Sequence, residues 1–479
     1  MPTKKTGEKK EVPTRLKGMR DIMGDEQHKY QGFYEKASEI ALYYGFQPID
    51  TPILEREEVF LESNSEDTDM VGKEMYTLKT KGGDKLALRP EGTAPVMRAY
   101  IEQGMQAMPQ PVKLYYYGSY FRHDNPQRGR WREFKQFGME MLGTSKSIAD
   151  AMVIYLTMIV LRESGLTSAV VEINSIGDKE CRPAYQKELV SYYRKHINQL
   201  CADCRQRMKT NPLRLLDCKK PQCQPFKEKA PQSIAYLCPS CKSHFKEVLE
   251  YLDALKITYR INANLVRGLD YYTRTVYEIF DGEEAAAAPE AEVAAAEAPA
   301  EGAEEEAEGE KKAKKEKEEK PEKAEKAEPP APLAIASGGR YDYLAKRLGS
   351  KKDVPAVGGS IGVDRVLMSE RYKASAPRVV KKPKVYFIQL GFEAKLRSLE
   401  IIEILRQARI PVAHALNKDS LSTQLAIAER LEIPLAIIFG QKEALEGTVI
   451  VRNMLTRSQE TVKFDKLAEA LKETPKKAK

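Results

Sequence analysis

No apolar run in this 479-residue chain is long enough to cross a bilayer. The longest, AMVIYLTMIVL at Ala151–Leu161, falls well short of a span. The N-terminal stretch MPTKKTGEKKEVP is charged and lacks an apolar centre, so it reads as neither leader nor anchor. With both features missing, the expected location is the cytoplasm, with no membrane partner. Cysteine is absent outside residues 181–241, and a reducing compartment argues against disulfides there. The glycine-rich segment Val357–Glu370 has neither the lysine of a P-loop nor the spacing of a dinucleotide fingerprint, which excludes both. Helices of crossover length are missing between the strand-like runs EMYTLKT, KLALRP, VKLYYYGSYFR and EFKQFGMEMLG. That absence favours an antiparallel sheet for the first, larger domain.

Charge is present in excess but unevenly. The net value is +8, yet residues 281–330 hold 18 acids and 8 lysines, which leaves +18 on the remainder. A surplus of that size either serves solubility or meets a polyanion such as nucleic acid. Residues 281–332 are Ala/Glu/Lys/Pro low complexity with almost no apolar bulk, so they are expected to be a disordered loop. Strand-like sequence flanks the loop on both sides, marking an expansion within a domain. The expected plan is a polar tail at 1–13, a domain at 14–370 containing a cysteine-, proline- and lysine-rich stretch at 200–245 and the loop at 281–332, a linker at 371–383, an α/β unit at 384–473 and a basic tail at 474–479. In the last unit KVYFIQLG, PVAHAL and PLAIIFG alternate with helical patterns over 393–409 and 420–431, which predicts a largely parallel sheet.

Near the N-terminus, Tyr30, Phe33, Ala37, Ile40 and Tyr44 recur at helical spacing, and Gly45 ends the run. FQPIDTPILE follows with two prolines, which predicts an edge or interface strand. The segment Tyr120–Gly143 reads as strand, long loop, strand, with Arg122, His123, Asp124, Arg128, Arg130 and Arg132 crowded into the loop. Guanidinium forks suit phosphate oxygens, although a solvated basic hairpin would look the same. Gln136 and Glu140, four apart, share a face of the returning strand. LVRGLDYYTRTVYEIF, Leu265–Phe280, reads as one β-strand. It carries more polar groups than a core strand can use, because each needs a partner when buried.

Taken together these segments resemble the three signature motifs of class II aminoacyl-tRNA synthetases. The first helix and the strand with Pro52 resemble motif 1, FRHDNPQRGRWREFKQF motif 2 and GGSIGVDR motif 3. LVRGLDYYTRTVYE and SGGRYDYL resemble the two motifs peculiar to histidyl-tRNA synthetases, and LRPEGTAPVMRAY and KGMRDI match that family too. The resemblance implies an α+β catalytic domain on an antiparallel sheet, an insertion domain at 175–255 beside the tRNA acceptor arm, a C-terminal α/β anticodon-binding domain and a homodimer. It implies ATP-dependent activation of L-histidine, with Mg²⁺ bridging phosphates, and transfer to tRNA(His). By the same resemblance Arg122 and Arg267 hold opposite sides of the α-phosphate and Arg365 the far end of ATP, with Asp124, Arg130 and Asp364 also on the nucleotide. Glu140 and Tyr272 pair with the imidazole. Glu91, Thr93 and Gln136 hold the amino and carboxylate ends, and Tyr271 and Tyr341 complete the pocket. The chain departs from the family pattern at Asp124, Asn125, Asp364 and Tyr343, where the acids survive with shorter reach.

Cys201-x-x-Cys204 and Cys238-x-x-Cys241 form two chelating pairs, with Cys218 and Cys223 between them. The four thiols of the two pairs could close a tetrahedral zinc site or remain unliganded. Two rival readings stay open at this point. A non-charging paralogue, such as a histidine-sensing regulatory subunit of ATP phosphoribosyltransferase, would lack the anticodon domain and the reactive arginine; here Arg267 and the C-terminal unit are both present. A pure RNA-binding scaffold would leave the amino-acid pocket unexplained.

Overall fold

The computed structural model describes residues 12–64, 68, 70–282, 333–378, 382–415 and 418–473. The expectations for residues 1–11, for the loop over 283–332 and for the tail at 474–479 lie outside the described residues. The chain divides into two units between Ala376 and Pro377.

In the first unit the helix Asp25–Tyr43 forms on the expected stripe, burying Tyr30, Phe33, Ala37 and Ile40. Gly45, at φ +81°, turns the chain out of it in a conformation that side chains resist. Eleven strands follow: β1 Gln47–Pro48, β2 Leu54–Arg56, β3 Thr77–Lys79, β4 Lys85–Leu88, β5 Val112–Phe121, β6 Glu133–Leu142, β7 Val170–Ser175, β8 Tyr259–Ile261, β9 Thr273–Phe280, β10 Ala336–Arg340 and β11 Ala356–Gly362. Eight make one sheet in the order β1-β5-β6-β11-β10-β9-β7-β8. Its interior pairings are all antiparallel, and only the outermost pairs, β1 with β5 and β7 with β8, are parallel. The proline-bearing β1 lies at the edge, where its missing N–H costs no ladder bond. The runs EMYTLKT and KLALRP instead build a separate sheet, β2-β4-β3. Exposure of β3 at all three positions suits that surface location.

The apolar run at 151–161 is a helix, Ser147–Glu163, packed between the large sheet and the helix Pro239–Ala254. Sandwiching explains why it is apolar on nearly every side. Between β7 and β8 the chain leaves the sheet for the helices Arg182–Arg194, Ala202–Thr210, Gln224–Glu228 and Pro239–Ala254, linked by 3₁₀ turns.

One expected element is shorter than its sequence suggests. The strand reading of Leu265–Phe280 holds only from Thr273. A register shift in the β10–β9 pairing between Gly339 and Arg340, and a positive φ of 48° at Arg274, break the ladder there. Residues 265–272 therefore approach the sheet as a loop. Consecutive tyrosines, which would face opposite sides of a strand, are both buried in it.

The second unit holds a five-stranded sheet: β12 Val385–Gln389, β13 Val412–His414, β14 Leu435–Phe439, β15 Thr448–Asn453 and β16 Gln459–Lys463, in the order β13-β12-β14-β15-β16. The first three strands are parallel, as the alternation predicts, and β15 and β16 add an antiparallel hairpin. Every residue of β12 and β14 is buried, because the helices Phe392–Gln407 and Phe464–Glu473 cover one face and Leu421–Arg430 the other.

Candidate active site

The antiparallel strands of the first unit carry a cleft of about 250 Å³. All the expected site residues except Glu140 and Tyr341 line it; Glu140 is buried beneath the lining residues Thr93 and Tyr116, and Tyr341 bonds to Glu140. β6 brings in Gln136 and, on the same face, Glu140; the loop before β9 and the residue just after β10 supply the tyrosines; β11 runs into the helix carrying Asp364 and Arg365.

The floor is built around one acid. Glu140 is fully buried and accepts bonds from Thr93 Oγ1 at 2.8 Å, Tyr116 OH at 3.2 Å and Tyr341 OH. Burial pushes its carboxyl up to about 8 against the pull of these hydroxyls. Beside it Glu91 caps the helix Thr93–Glu102, accepting from the Thr93 and Ala94 amides at 2.6 and 2.9 Å, and Tyr271 OH reaches it at 3.3 Å. Burial raises the Glu91 carboxyl despite those bonds. The Tyr271 ring lies 4.8 Å from Tyr272 and 5.9 Å from Tyr341, closing an aromatic corner.

Cations line the rest. Arg122 is fixed through Nε to Pro90 O at 2.9 Å and lies 5.4 Å from the Phe134 ring. Arg267 pairs with Glu278 and donates to Ser337 Oγ at 2.9 Å, while its buried Nε has no partner among the described residues. Arg365 is anchored on the carbonyls of Gly129 (3.0 Å) and Ala334 (2.6 Å). Burial, then repulsion from Arg130 and Arg122, lowers its guanidinium to about 10. Arg130 bonds Asp124 across the motif loop at 2.9 Å. Both oxygens of Asp364 are already engaged: Oδ1 by Tyr30 OH at 2.6 Å and by Arg20, Oδ2 by the Lys135 amide at 2.6 Å. Asp364 thus ties the third motif to the first helix and to the KGMRDI segment.

Three residues of this constellation escape a reading of the sequence. Tyr116 is one of three consecutive tyrosines; only the pairing of Tyr116 with Gly138, where a side chain would strike its ring, reveals the ring's path to Glu140. Glu278 is an ordinary strand acid until the loop brings Arg267 back to it. Arg20 belongs to a segment already singled out, and its 4.6 Å approach to the Trp131 ring and pairing with Asp364 give that segment a purpose.

The tetrad of Cys201, Cys204, Cys238 and Cys241, one of the two arrangements left open by the sequence, is not assembled. The two pairs join different clusters: Cys201 and Cys204 with Cys218 and Cys223, and Cys238 and Cys241 with Asp178 and Cys181. Cys238 and Cys241 open a helix that packs on the catalytic sheet's helix Ser147–Glu163, whereas Cys201 and Cys204 open one inside the insertion's own core. The buried four-cysteine cluster has a donor set able to bind a metal. No helix among the described residues is long and apolar enough to cross a membrane.

Comparison with known proteins agrees with this geometry. Residues 18–289 match the family model for histidyl-tRNA synthetase, and residues 384–474 that for an anticodon binding domain. The histidine–tRNA ligase of Dehalococcoides mccartyi strain 195 is 38% identical over 451 residues, covering 94% of this chain and 97% of the relative. That of Thermodesulfovibrio yellowstonii is 38% identical over 457 residues, covering 95% and 97%. The apo crystal structure of Staphylococcus aureus histidyl-tRNA synthetase superposes with a TM-score of 0.71 at 27% identity, over 96% of this chain and all of that one. The chain belongs to the histidyl-tRNA synthetase family of class II aminoacyl-tRNA synthetases.

Proposed function

We propose that this cleft activates L-histidine with ATP and passes the histidyl group to the terminal ribose of tRNA(His). In the first step a histidine carboxylate oxygen attacks the α-phosphorus in line, forming the acyl–phosphate bond as the bond to the departing pyrophosphate breaks. In the second a ribose hydroxyl takes the acyl group and AMP leaves. Negative charge grows on phosphorus oxygens in the first step, and fixed cations aimed at it are the main catalytic resource.

One observation carries this reading: Arg122, Arg130, Arg267 and Arg365 line the same cleft, and Arg130 and Arg122 lie close enough to Arg365 to lower its guanidinium while leaving it charged at neutral pH. A polyphosphate relieves that repulsion. On this reading Arg122 and Arg267 flank the α-phosphate and Arg365 holds the far end of ATP, with Arg130 and Asp124 as its neighbours. Asp364 acts by positioning. Glu278 and Asp124 line the cleft, each paired with an arginine (Arg267 and Arg130), and would hold Mg²⁺ once ATP phosphates draw those guanidiniums away; the ion takes one or two protein carboxylates and completes its shell with phosphates and water. Held there, the ion would neutralise phosphate charge.

The buried acid on the floor supports histidine as the amino acid. Glu140, with Tyr272 alongside, offers polar partners to a ring with two nitrogens, and a different side chain would leave them unpaired. Glu91, Thr93, Gln136, Tyr271 and Tyr341 surround the remaining polar ends. The +18 outside the acidic loop fits a tRNA partner, with the C-terminal unit on the anticodon. Exposed Leu42, Tyr43, Ile53 and Leu54 beside the first motif fit a homodimer seam acting in the cytoplasm. Charging of a tRNA(His) transcript with labelled histidine, alongside sedimentation of the protein, tests the reading. We expect charging by a dimer; Arg365→Ala should raise the KM for ATP at least tenfold. Charging with unaltered ATP dependence in that variant would contradict the assignment.

A further inference from the structure

The cysteine-rich insertion has little to hold it together. From 200 to 237 it consists of the helices Ala202–Thr210 and Gln224–Glu228 and four- to six-residue or shorter 3₁₀ turns, with no strand. Its core is small and counts four cysteines among its members, alongside Tyr185, Leu189 and Tyr193. Small cores of this kind usually need a staple.

The four thiols meet from three separate pieces of chain. Cys201 and Cys204 sit at the start of the helix Ala202–Thr210, Cys218 follows the turn Pro212–Asp217, and Cys223 ends the turn Pro221–Cys223. All are buried, none is in a disulfide, and their sulfurs all lie within 4.8 Å of one another. Cys201 Sγ and Cys218 Sγ are 3.9 Å apart. A tetrahedron of sulfurs about 2.3 Å from zinc has an edge of about 3.8 Å. Backbone amides already point at the sulfurs: Cys204 N donates to Cys201 Sγ at 3.4 Å, and Cys201 N to Cys223 Sγ at 3.5 Å. Donors of this kind orient and stabilise metal-bound thiolates. Residues 201–224 carry six cationic side chains against two acids, a surplus that suits a dianionic tetrathiolate centre.

We propose that Cys201, Cys204, Cys218 and Cys223 bind a tetrahedral zinc ion that fastens the insertion. The companion cluster is a poorer site. Its Asp178 is paired with Arg274 at 3.2 Å and accepts the Glu180 amide at 3.0 Å, so a divalent ion there would face a guanidinium. Only one of the two CxxC pairs therefore serves the metal. The inference does not depend on the reaction proposed for the cleft.

The test is the zinc content of the full-length protein, purified without a metal-chelating tag and dialysed against dilute chelator. We expect one equivalent per chain, reduced at least tenfold in Cys218→Ser and in Cys223→Ser and retained in Cys238→Ser. Cobalt-exchanged wild type gives a readout that requires no variant to fold: intense visible bands and near-ultraviolet thiolate charge transfer of a tetrahedral four-sulfur site. Metal-free protein whose thiols react freely with a thiol reagent, cobalt protein without those bands, or zinc lost with Cys238→Ser but kept with Cys218→Ser would overturn the proposal.

Discussion

Burial of Glu140 beneath Thr93, Tyr116 and Tyr341 decides what charge the pocket floor carries before substrate arrives. With its carboxyl moved from 4.5 to about 8, the folded protein keeps a proton that the unfolded chain releases. The stability this contributes is complete below pH 4.5 and is lost as pH rises towards 8. Glu140→Gln has no such term, so its melting temperature should gain on wild type as the buffer moves from pH 5 to pH 9. A constant difference across that range would remove the argument. The same variant should weaken histidine use by roughly 10²–10³-fold in kcat/KM, because an amide cannot release a proton to become the anion that pairs with the substrate ring. Conservative replacement of Asp364 has a different signature, because its oxygens face Tyr30, Arg20 and the Lys135 amide. Asp364→Asn should lower thermal stability with little change in the KM for histidine, measured side by side.

The strands β10 and β11 approach each other through glycine. Gly358 lies opposite Glu140 in the β11–β6 register, and a methyl group there would overlap the Glu140 carboxylate. Gly358→Ala is therefore expected to disturb the floor directly, losing histidine binding by calorimetry even if the fold survives. Unchanged affinity would mean that the sheet opens more easily than its packing suggests. Much at this level was legible in the sequence. The first helix shows in a 3.6-residue apolar stripe and the edge strand in its prolines. The two motif strands and the glycines beside Arg365 show in local pattern too, because local sterics fix each of them. What was not legible depends on distant partners. The loop 265–272 looks like strand because its residues favour strand, but the ladder is broken by pairing with β10. The cysteines appear as two matched CxxC pairs, yet their helices belong to different packing cores. Asp364 shows as a nucleotide ligand by motif and turns out to hold three other elements, a role visible only once Arg20 and Tyr30 are beside it.

Across the first unit, a buried clamp joins the sheet to the helices behind it. Asp150 receives Arg340 Nε at 3.2 Å from both oxygens and lies 3.2 Å from His244 Nε2. Burial alone would raise its carboxyl, but Arg340 and His244 bring it to about 2. The stability it contributes is present above the ordinary value of 3.8 and lost only as pH falls towards 2. Asp150→Asn leaves the buried Arg340 guanidinium with Asp342, at 3.0 Å, as its remaining carboxylate partner and should cost up to about 3–5 kcal/mol in denaturant titration. The strands on either side of residues 283–332 are hydrogen-bonded neighbours, with Ile335 N on Ile279 O at 2.8 Å. A short Gly/Ser turn in place of 283–332 should therefore preserve the fold and leave adenylation within a few-fold of the full chain.

On the proposed reading one cleft, with Arg267 against the reacting phosphate, activates histidine. Histidine-dependent ATP–pyrophosphate exchange tests it most directly, with the other amino acids as controls and Arg267→Ala alongside. Exchange is expected with histidine alone, reduced by roughly 10²–10³-fold or more in the variant. Histidine binding without exchange in the intact protein, or full exchange in Arg267→Ala, would contradict it.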